Sequence, residues 1–349
     1  MNLGTMQAAV LHGSRDVRLE QVPLRPLSPG ELRVKIDTAL TCGTDVKVYR
    51  RGEHARMIQP PALFGHEWAG TVMETSDGLA TWQVGDRVTG ANSAACTLCQ
   101  FCKLGRSELC EDLQFLNGAY AETIVVPARF AERSLYKVPS YLSLQEAALV
   151  EPLACVVRGL ELMPVNAGET VAILGLGPIG LLFVRLAVLA GANVIAVGRR
   201  SSRLKIAREF GAGVVLDEAT LDDPCKTVRE LTPGGNGPDR VIEAVGTPKT
   251  WELAIAIVRK AGAVNLFGGC PAGSTIQLHT HRIHYDEITL LGAFHHTPSA
   301  FQTALNLLAA RKVDAGALIS QTVTLSELPE VLEGLADGRL DIVKAAVKF

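Results

Sequence analysis

The spacing of apolar residues changes character partway along the chain. Through the first ~150 residues the apolar positions fall in short runs with polar residues between them, as in Glu31 to Ile36, Ala69 to Glu74, Arg87 to Thr89 and Ala121 to Val126. Such runs predict strands. Pro23, Pro26, Pro29-Gly30, Gly52, Pro60-Pro61, Gly78 and Gly85 punctuate them. The expectation is a mostly antiparallel β domain. The texture shifts near Glu151-Pro152. From Thr170 apolar strands alternate with amphipathic helices: Thr170 to Leu174 a strand, Pro178 to Ala190 a helix, Asn193 to Val197 a strand, Ser201 to Phe210 a helix. Val214 to Leu216, Asp239 to Val245, Ala263 to Phe267 and Ile288 to Phe294 continue as strands, with a helix at Lys249 to Arg259. That alternation predicts an α/β doubly wound parallel sheet. Ser299 to Arg311 and Glu327 to Asp337 read as helices that the pattern alone assigns to neither domain.

At 349 residues the chain is long enough for two domains. Lys and Arg (34) nearly balance Asp and Glu (36), so nucleic acid and polybasic membrane contacts are not expected. The first residues lack a basic segment followed by a long apolar run, so no signal peptide is expected. The longest apolar stretch, Thr170 to Val184, is interrupted by glycines and a proline and is short for a membrane span. The expectation is a soluble, cytoplasmic protein.

Gly175-Leu176-Gly177-Pro178-Ile179-Gly180 follows an apolar strand and opens a helix. This is the context in which G-x-G-x-x-G means dinucleotide binding. Gly175 suits the tight turn, Gly177 the approach of a pyrophosphate, and Gly180 close packing of helix on strand. A glycine-rich turn without ligand is the plainer alternative. An NAD site places a carboxylate at the end of the next strand for the ribose 2′-OH. Here Gly198 stands there, followed by Arg199, Arg200, Ser201, Ser202 and Arg203. Gly198 would leave room, and Arg199 could donate to a 2′-phosphate. Cations at a helix start oppose its dipole, which favours a ligand over a merely solvated face. The segment therefore points to NADP(H) over NAD(H). Val245 and Phe267, closing two later strands, complete the expected cofactor set.

Four of the eight cysteines, Cys96, Cys99, Cys102 and Cys110, fall within 15 residues. Four thiolates can close a tetrahedral zinc site with no open position, hence a structural one. Disulfides conflict with the expected compartment, and the spacing departs from the bacterial iron–sulfur run. A second set is dispersed: Cys42-Gly43-Thr44-Asp45, Gly65-His66-Glu67 and Glu151-Pro152. Cys, His and Glu all bind zinc, and three of them plus water make an open catalytic site. Each residue alone has a plainer reading, as a core thiol, a loop histidine or a solvated carboxylate.

Together these motifs resemble the zinc-dependent medium-chain dehydrogenases nearly end to end, and within them the sorbitol and threonine dehydrogenase branch. The resemblance implies a GroES-like catalytic domain at residues 1–154, with a zinc lobe at about 93–112. It implies a Rossmann domain at 155–295 and a return to the catalytic domain at 296–349. It places the active site in the cleft between them and pairs the Ile288 to Phe294 strand across a dimer, giving a homodimer or homotetramer. By position, Cys42 and His66 would hold catalytic zinc, with Glu67 and Glu151 as exchangeable carboxylates. Thr44 would bind the substrate hydroxyl, and Asp45 would orient His66. Lys47 replaces the histidine that ends the proton relay in many relatives. Asn92 stands where threonine dehydrogenases carry His, which counts against threonine. His295 and His296 fall where polyol enzymes contact substrate, although plain loop histidines are equally consistent. The implied reaction is reversible oxidation of a secondary alcohol (a polyol, cyclitol or sugar derivative) by NADP+. Alternatives are a threonine-type or simple alcohol dehydrogenase, a zinc-free enone or quinone reductase, and a non-enzymatic cofactor-binding protein.

Overall fold

The computed structural model describes residues 4–54 and 56–349. The chain divides into two compact units. The first takes the chain up to Ala154 together with His296–Phe349, and the second is Cys155–His295.

In the first unit the central strand Leu32–Leu40 pairs antiparallel with Glu67–Thr75, Thr123–Val126 and the C-terminal strand Lys344–Lys348. Arg87–Gly90 and Leu135–Lys137 extend one side of this seven-stranded sheet, and Ile319–Thr324 the other. Ile319–Thr324 runs parallel to Lys344–Lys348, with the helix Leu328–Ala336 between them in sequence. A parallel pair needs such a crossover. The helix buries Leu328, Val331 and Leu332 in the core around Trp68, Phe64, Tyr120 and Phe130. Residues after His296 therefore belong to the β unit, which the helical pattern at Ser299 to Arg311 and Glu327 to Asp337 left undecided.

The second unit is a six-stranded, all-parallel sheet. Its spatial order is Val214–Asp217, Asn193–Gly198, Thr170–Leu174, Arg240–Glu243, Ala263–Leu266 and Thr289–Gly292. In sequence order this is 3-2-1-4-5-6, the doubly wound arrangement of dinucleotide-binding sheets. Val171, Ala172, Ile173 and Leu174 are all buried, as a strand covered on both faces requires. Among the described residues no helix is long and apolar enough to cross a membrane.

Candidate active site and metal centres

Cys42 ends the turn after Leu32–Leu40 and caps the helix Gly43–Arg51. Its Sγ accepts the Thr44 N–H at 3.4 Å, and its own N–H donates to Asp45 Oδ2 at 3.0 Å. The reciprocal cap fixes both side chains. His66 and Glu67 open the neighbouring strand Glu67–Thr75, whose register sets Glu67 beside Leu40. Gly65, before them, has φ +85°, and a Cβ there would lie 2.6 Å from the Tyr120 ring. Only glycine fits that bend. The donor atoms of Cys42, His66 and Glu67 all lie within 4.8 Å of one another.

Around this trio the side chains are buried. Asp45 Oδ1 is 3.0 Å from His66 Nδ1, which leaves Nε2 as the nitrogen available to a metal. Tyr120, fully buried, donates its hydroxyl to Asp45 Oδ2 at 2.5 Å. Lys344 places Nζ 2.7 and 2.5 Å from the two Glu67 oxygens and donates to the Thr41 carbonyl at 2.9 Å. Burial works to lower the His66 imidazole, and Asp45 and Cys42 together more than reverse this, holding it well above its ordinary value. Burial pushes the Cys42 thiol up. A thiol, an imidazole and a carboxylate converging in a buried site form a donor set suited to Zn2+.

Glu151 lies in the first turn of the helix Val150–Leu162 and is buried. It is not in the 4.8 Å trio. Its Oε1 is 3.7 Å from His296 Nε2, and burial pushes its carboxyl up to about 7. His296 Nε2 is also 3.2 Å from Asn92 Oδ1, with all three residues buried. His296 sits inside the first unit, whereas His295 belongs to the second, with φ +62° and its ring 5.5 Å from that of Phe294. Thr44 is half-buried on the first turn of its helix, and Lys47 on the same helix is exposed.

The four-cysteine lobe is closed on itself. Sγ–Sγ distances are 3.5 Å for Cys99–Cys102, 3.9 Å for Cys99–Cys110 and 4.0 Å for Cys96–Cys102. A disulfide needs about 2.05 Å. Tetrahedral zinc–thiolate bonds of about 2.3 Å set sulfurs about 3.8 Å apart. The Cys96 N–H donates to Cys110 Sγ, and the Leu98 and Cys99 N–H groups donate to Cys96 Sγ. Backbone N–H groups of Glu111 and Cys102 lower the Cys99 thiol to about 6. The short helix Gln100–Lys103 buries no residue, and Leu98 and Leu104 are exposed. The lobe thus has little apolar packing of its own, which fits a segment ordered by metal. Arg133 anchors it by donating to the Ala95 and Cys96 carbonyls.

In the second unit Gly175 has φ +95°, and a Cβ there would lie 2.5 Å from Val245 Cγ2. A Cβ on Gly180 would lie 1.8 Å from the Gly175 carbonyl oxygen. At Gly177, the N-cap of Pro178–Leu189, a Cβ would meet nothing within 4 Å. Two glycines are thus demanded by packing, and the third leaves open the space a pyrophosphate takes at a helix N-terminus. Two expectations change. The space beside Gly198 is filled by Leu176, whose Cγ would lie 2.6 Å from a Cβ there, so this glycine serves packing. Arg199 is engaged by Glu218, at 2.8 Å from Nε and 3.1 Å from Nη2. Arg200 has φ 72° and precedes the helix Ser201–Glu209, in which Arg203 is half-buried. Phe267 packs edge-on against Phe183 at 5.1 Å.

Sequence reading missed Tyr120, Lys344 and the His296–Asn92 pairing. The strand Lys344–Lys348 carries a lysine at each end, and nothing in the sequence marks Lys344 as the buried one. Tyr120 carried no mark either.

The family model described as zinc-binding dehydrogenase matches residues 178–310, and that of the alcohol dehydrogenase GroES-like domain matches residues 28–140. The chain is 32% identical to a sorbitol dehydrogenase of Bombyx mori, over 93% of this chain and 94% of that protein. It is 33% identical to an L-threonine 3-dehydrogenase of Pyrococcus furiosus, over 86% of each. A zinc-binding dehydrogenase from Sinorhizobium meliloti 1021, solved bound to NADP, superimposes with a TM-score of 0.89 at 31% identity, covering 99% of both chains. The chain belongs to the zinc-dependent medium-chain alcohol and polyol dehydrogenase family, oxidoreductases with a GroES-like and a Rossmann-type domain.

Proposed function

We propose that this protein interconverts a secondary alcohol (a polyol, cyclitol or sugar derivative) and its ketone, using NADP(H) and two zinc ions per chain. The observation that carries the reading is the buried convergence of Cys42, His66 and Glu67, with Asp45 fixing the imidazole. Cys42, His66 and a carboxylate from Glu67 or Glu151 would hold the catalytic ion, and Cys96, Cys99, Cys102 and Cys110 the structural one. When bound, zinc supplies Lewis acidity toward the hydroxyl oxygen, and the nicotinamide takes the hydride.

The chain's own residues supply the rest. Asp45 holds the His66 ring in one orientation. Lys344 offsets the buried Glu67 charge, so this carboxylate must give up a lysine contact to reach a metal. The Thr44 hydroxyl accepts the substrate's hydroxyl hydrogen, and exposed Lys47 lies one helical turn on, toward solvent. His296, fixed by Asn92 beside Glu151, is positioned to donate to a second hydroxyl of a polyol, with His295 a further candidate contact. The Gly175–Gly180 turn would hold the pyrophosphate, with Val245 and Phe267 near the nicotinamide. Arg199, Arg200 and Arg203 would face the 2′-phosphate; the NADP-bound Sinorhizobium structure supports the choice of cofactor. The edge strand Thr289–Gly292 has one unpaired side among the described strands, which supports a dimer or tetramer. We place the protein in the cytoplasm.

The resemblance to L-threonine 3-dehydrogenase keeps a second substrate class in view, the amino alcohols. NADP+ reduction measured across polyols, cyclitols, amino alcohols and simple alcohols tests the proposal. Turnover confined to polyhydroxylated secondary alcohols is expected. Turnover of threonine alone would replace the polyol reading, and zinc near one atom per chain would remove the catalytic metal.

A further inference from the structure

The strand Asn193–Gly198 ends without a carboxylate, but its neighbour does not. In the parallel register Gly198 pairs with Asp217, the last residue of Val214–Asp217. The residues that follow the two strands are Arg199 and Glu218. Their side chains meet in a two-point pair, Nε to Oε2 at 2.8 Å and Nη2 to Oε1 at 3.1 Å. One full edge of the guanidinium is occupied, the same geometry with which arginine grips a phosphate. Arg199 is 68% exposed and Glu218 28%, so the pair borders solvent where an entering ligand can compete for it.

We propose that Glu218 sets the cofactor preference of this site by holding Arg199 in competition with a 2′-phosphate. The inference rests on the NADP(H) reading above. A 2′-phosphate carries between one and two negative charges near neutral pH, and NAD(H) lacks it. To use the occupied edge of Arg199 the phosphate must displace Glu218. To use the remaining Nη1 it must settle near that carboxylate, within the Debye length of about 8 Å at 0.15 M salt. Either way Glu218 opposes NADP(H) and leaves NAD(H) nearly untouched. The end of the third strand thereby tunes a choice that is read from the end of the second.

The test is a set of dissociation constants for NADPH and NADH from nicotinamide fluorescence, for wild type, Glu218→Gln, Arg199→Ala and the double variant. Glu218→Gln is expected to tighten NADPH about fivefold and to change NADH less than twofold. The gain should fall below twofold in the Arg199→Ala background, and it should shrink in 1 M salt. Unchanged or weaker NADPH binding in Glu218→Gln overturns the proposal, as does equal tightening of NADH. A full gain without Arg199 overturns it as well. If Arg199→Ala alone leaves NADPH binding intact, the NADP(H) reading of Arg199 fails first. If it weakens NADPH while Glu218→Gln changes nothing, only the role of Glu218 fails.

Discussion

Within the first unit, four thiols of the lobe come from residues 96 to 110, whereas the Cys42 centre draws on a helix N-terminus, the start of one strand and, through Lys344, the C-terminal strand 277 residues away from Glu67. The lobe is at the surface, with backbone N–H groups as its main partners. The Cys42 centre is buried, with charged side chains as its partners. A cluster written locally can be closed by a metal with little help from the fold. A dispersed one exists only after the sheet has formed, and every charge in it must be matched by another.

The sharpest way to break this contrast is to remove one sulfur from each. Cys42→Ser should lower alcohol oxidation at least about 10³-fold, since a zinc centre supplies several kcal/mol of transition-state stabilisation. Elemental analysis should show one zinc lost of two, with NADPH fluorescence binding unchanged. Cys99→Ser should also lose one zinc, but it should open the lobe to trypsin at Lys103 and Arg106 while oxidation of alcohol persists in the cold. Identical phenotypes would mean the two clusters do not divide into catalytic and structural roles.

A smaller effect, on stability, tests whether the buried centre depends on charge matching. Lys344→Met removes the partner of both Glu67 oxygens. Loss of one member of a buried ion pair costs about 3–5 kcal/mol. Urea denaturation should show that loss, and Lys344→Met combined with Glu67→Gln should recover part of it. A loss below about 1 kcal/mol, the range of exposed pairs, would show that Glu67 is not held charged by Lys344.

How much of this was legible follows the same division. The lobe spacing, the Gly175–Gly180 turn and the strand–helix alternation are local patterns, and the structure keeps all three. Cys42, His66 and Glu67 are metal-ligand types in the sequence, but their convergence depends on Glu67 falling beside Leu40 in the sheet register. Lys344 and Glu218 were out of reach for one reason. Lys344 reaches Glu67 across the central strand Leu32–Leu40, and Glu218 follows a strand paired with the one that precedes Arg199; periodicity says which residues form a strand without saying which strands lie near it. Gly198 was misread for a related reason. A glycine at a strand end looks like room for a ligand until Leu176 is seen to fill it.

The mildest perturbation asks how far the matching extends beyond the metal-binding residues. Tyr120→Phe deletes one hydroxyl, whose partners are Asp45 Oδ2 at 2.5 Å and the Leu40 carbonyl at 3.1 Å. The ring stays in place, edge-on to Phe64 at 5.7 Å and packed over Gly65, so the core volume hardly changes. Asp45 Oδ2 keeps the Cys42 N–H as a donor, so the carboxylate is loosened, not stranded. Stability should fall by about 1 kcal/mol, the worth of one hydrogen bond. The larger consequence should appear two bonds further in, because Asp45 aims His66. Residues that orient a metal ligand typically contribute 10–100-fold to metal affinity, and the retained Cys42 donor puts this variant near tenfold. Competition with a chromophoric chelator measures that for the buried zinc, with the lobe zinc of the same molecule as internal control. A tenfold loss at one zinc and none at the other would extend the contrast to the second layer of partners. Equal affinities would confine it to Cys42, His66 and the carboxylates themselves.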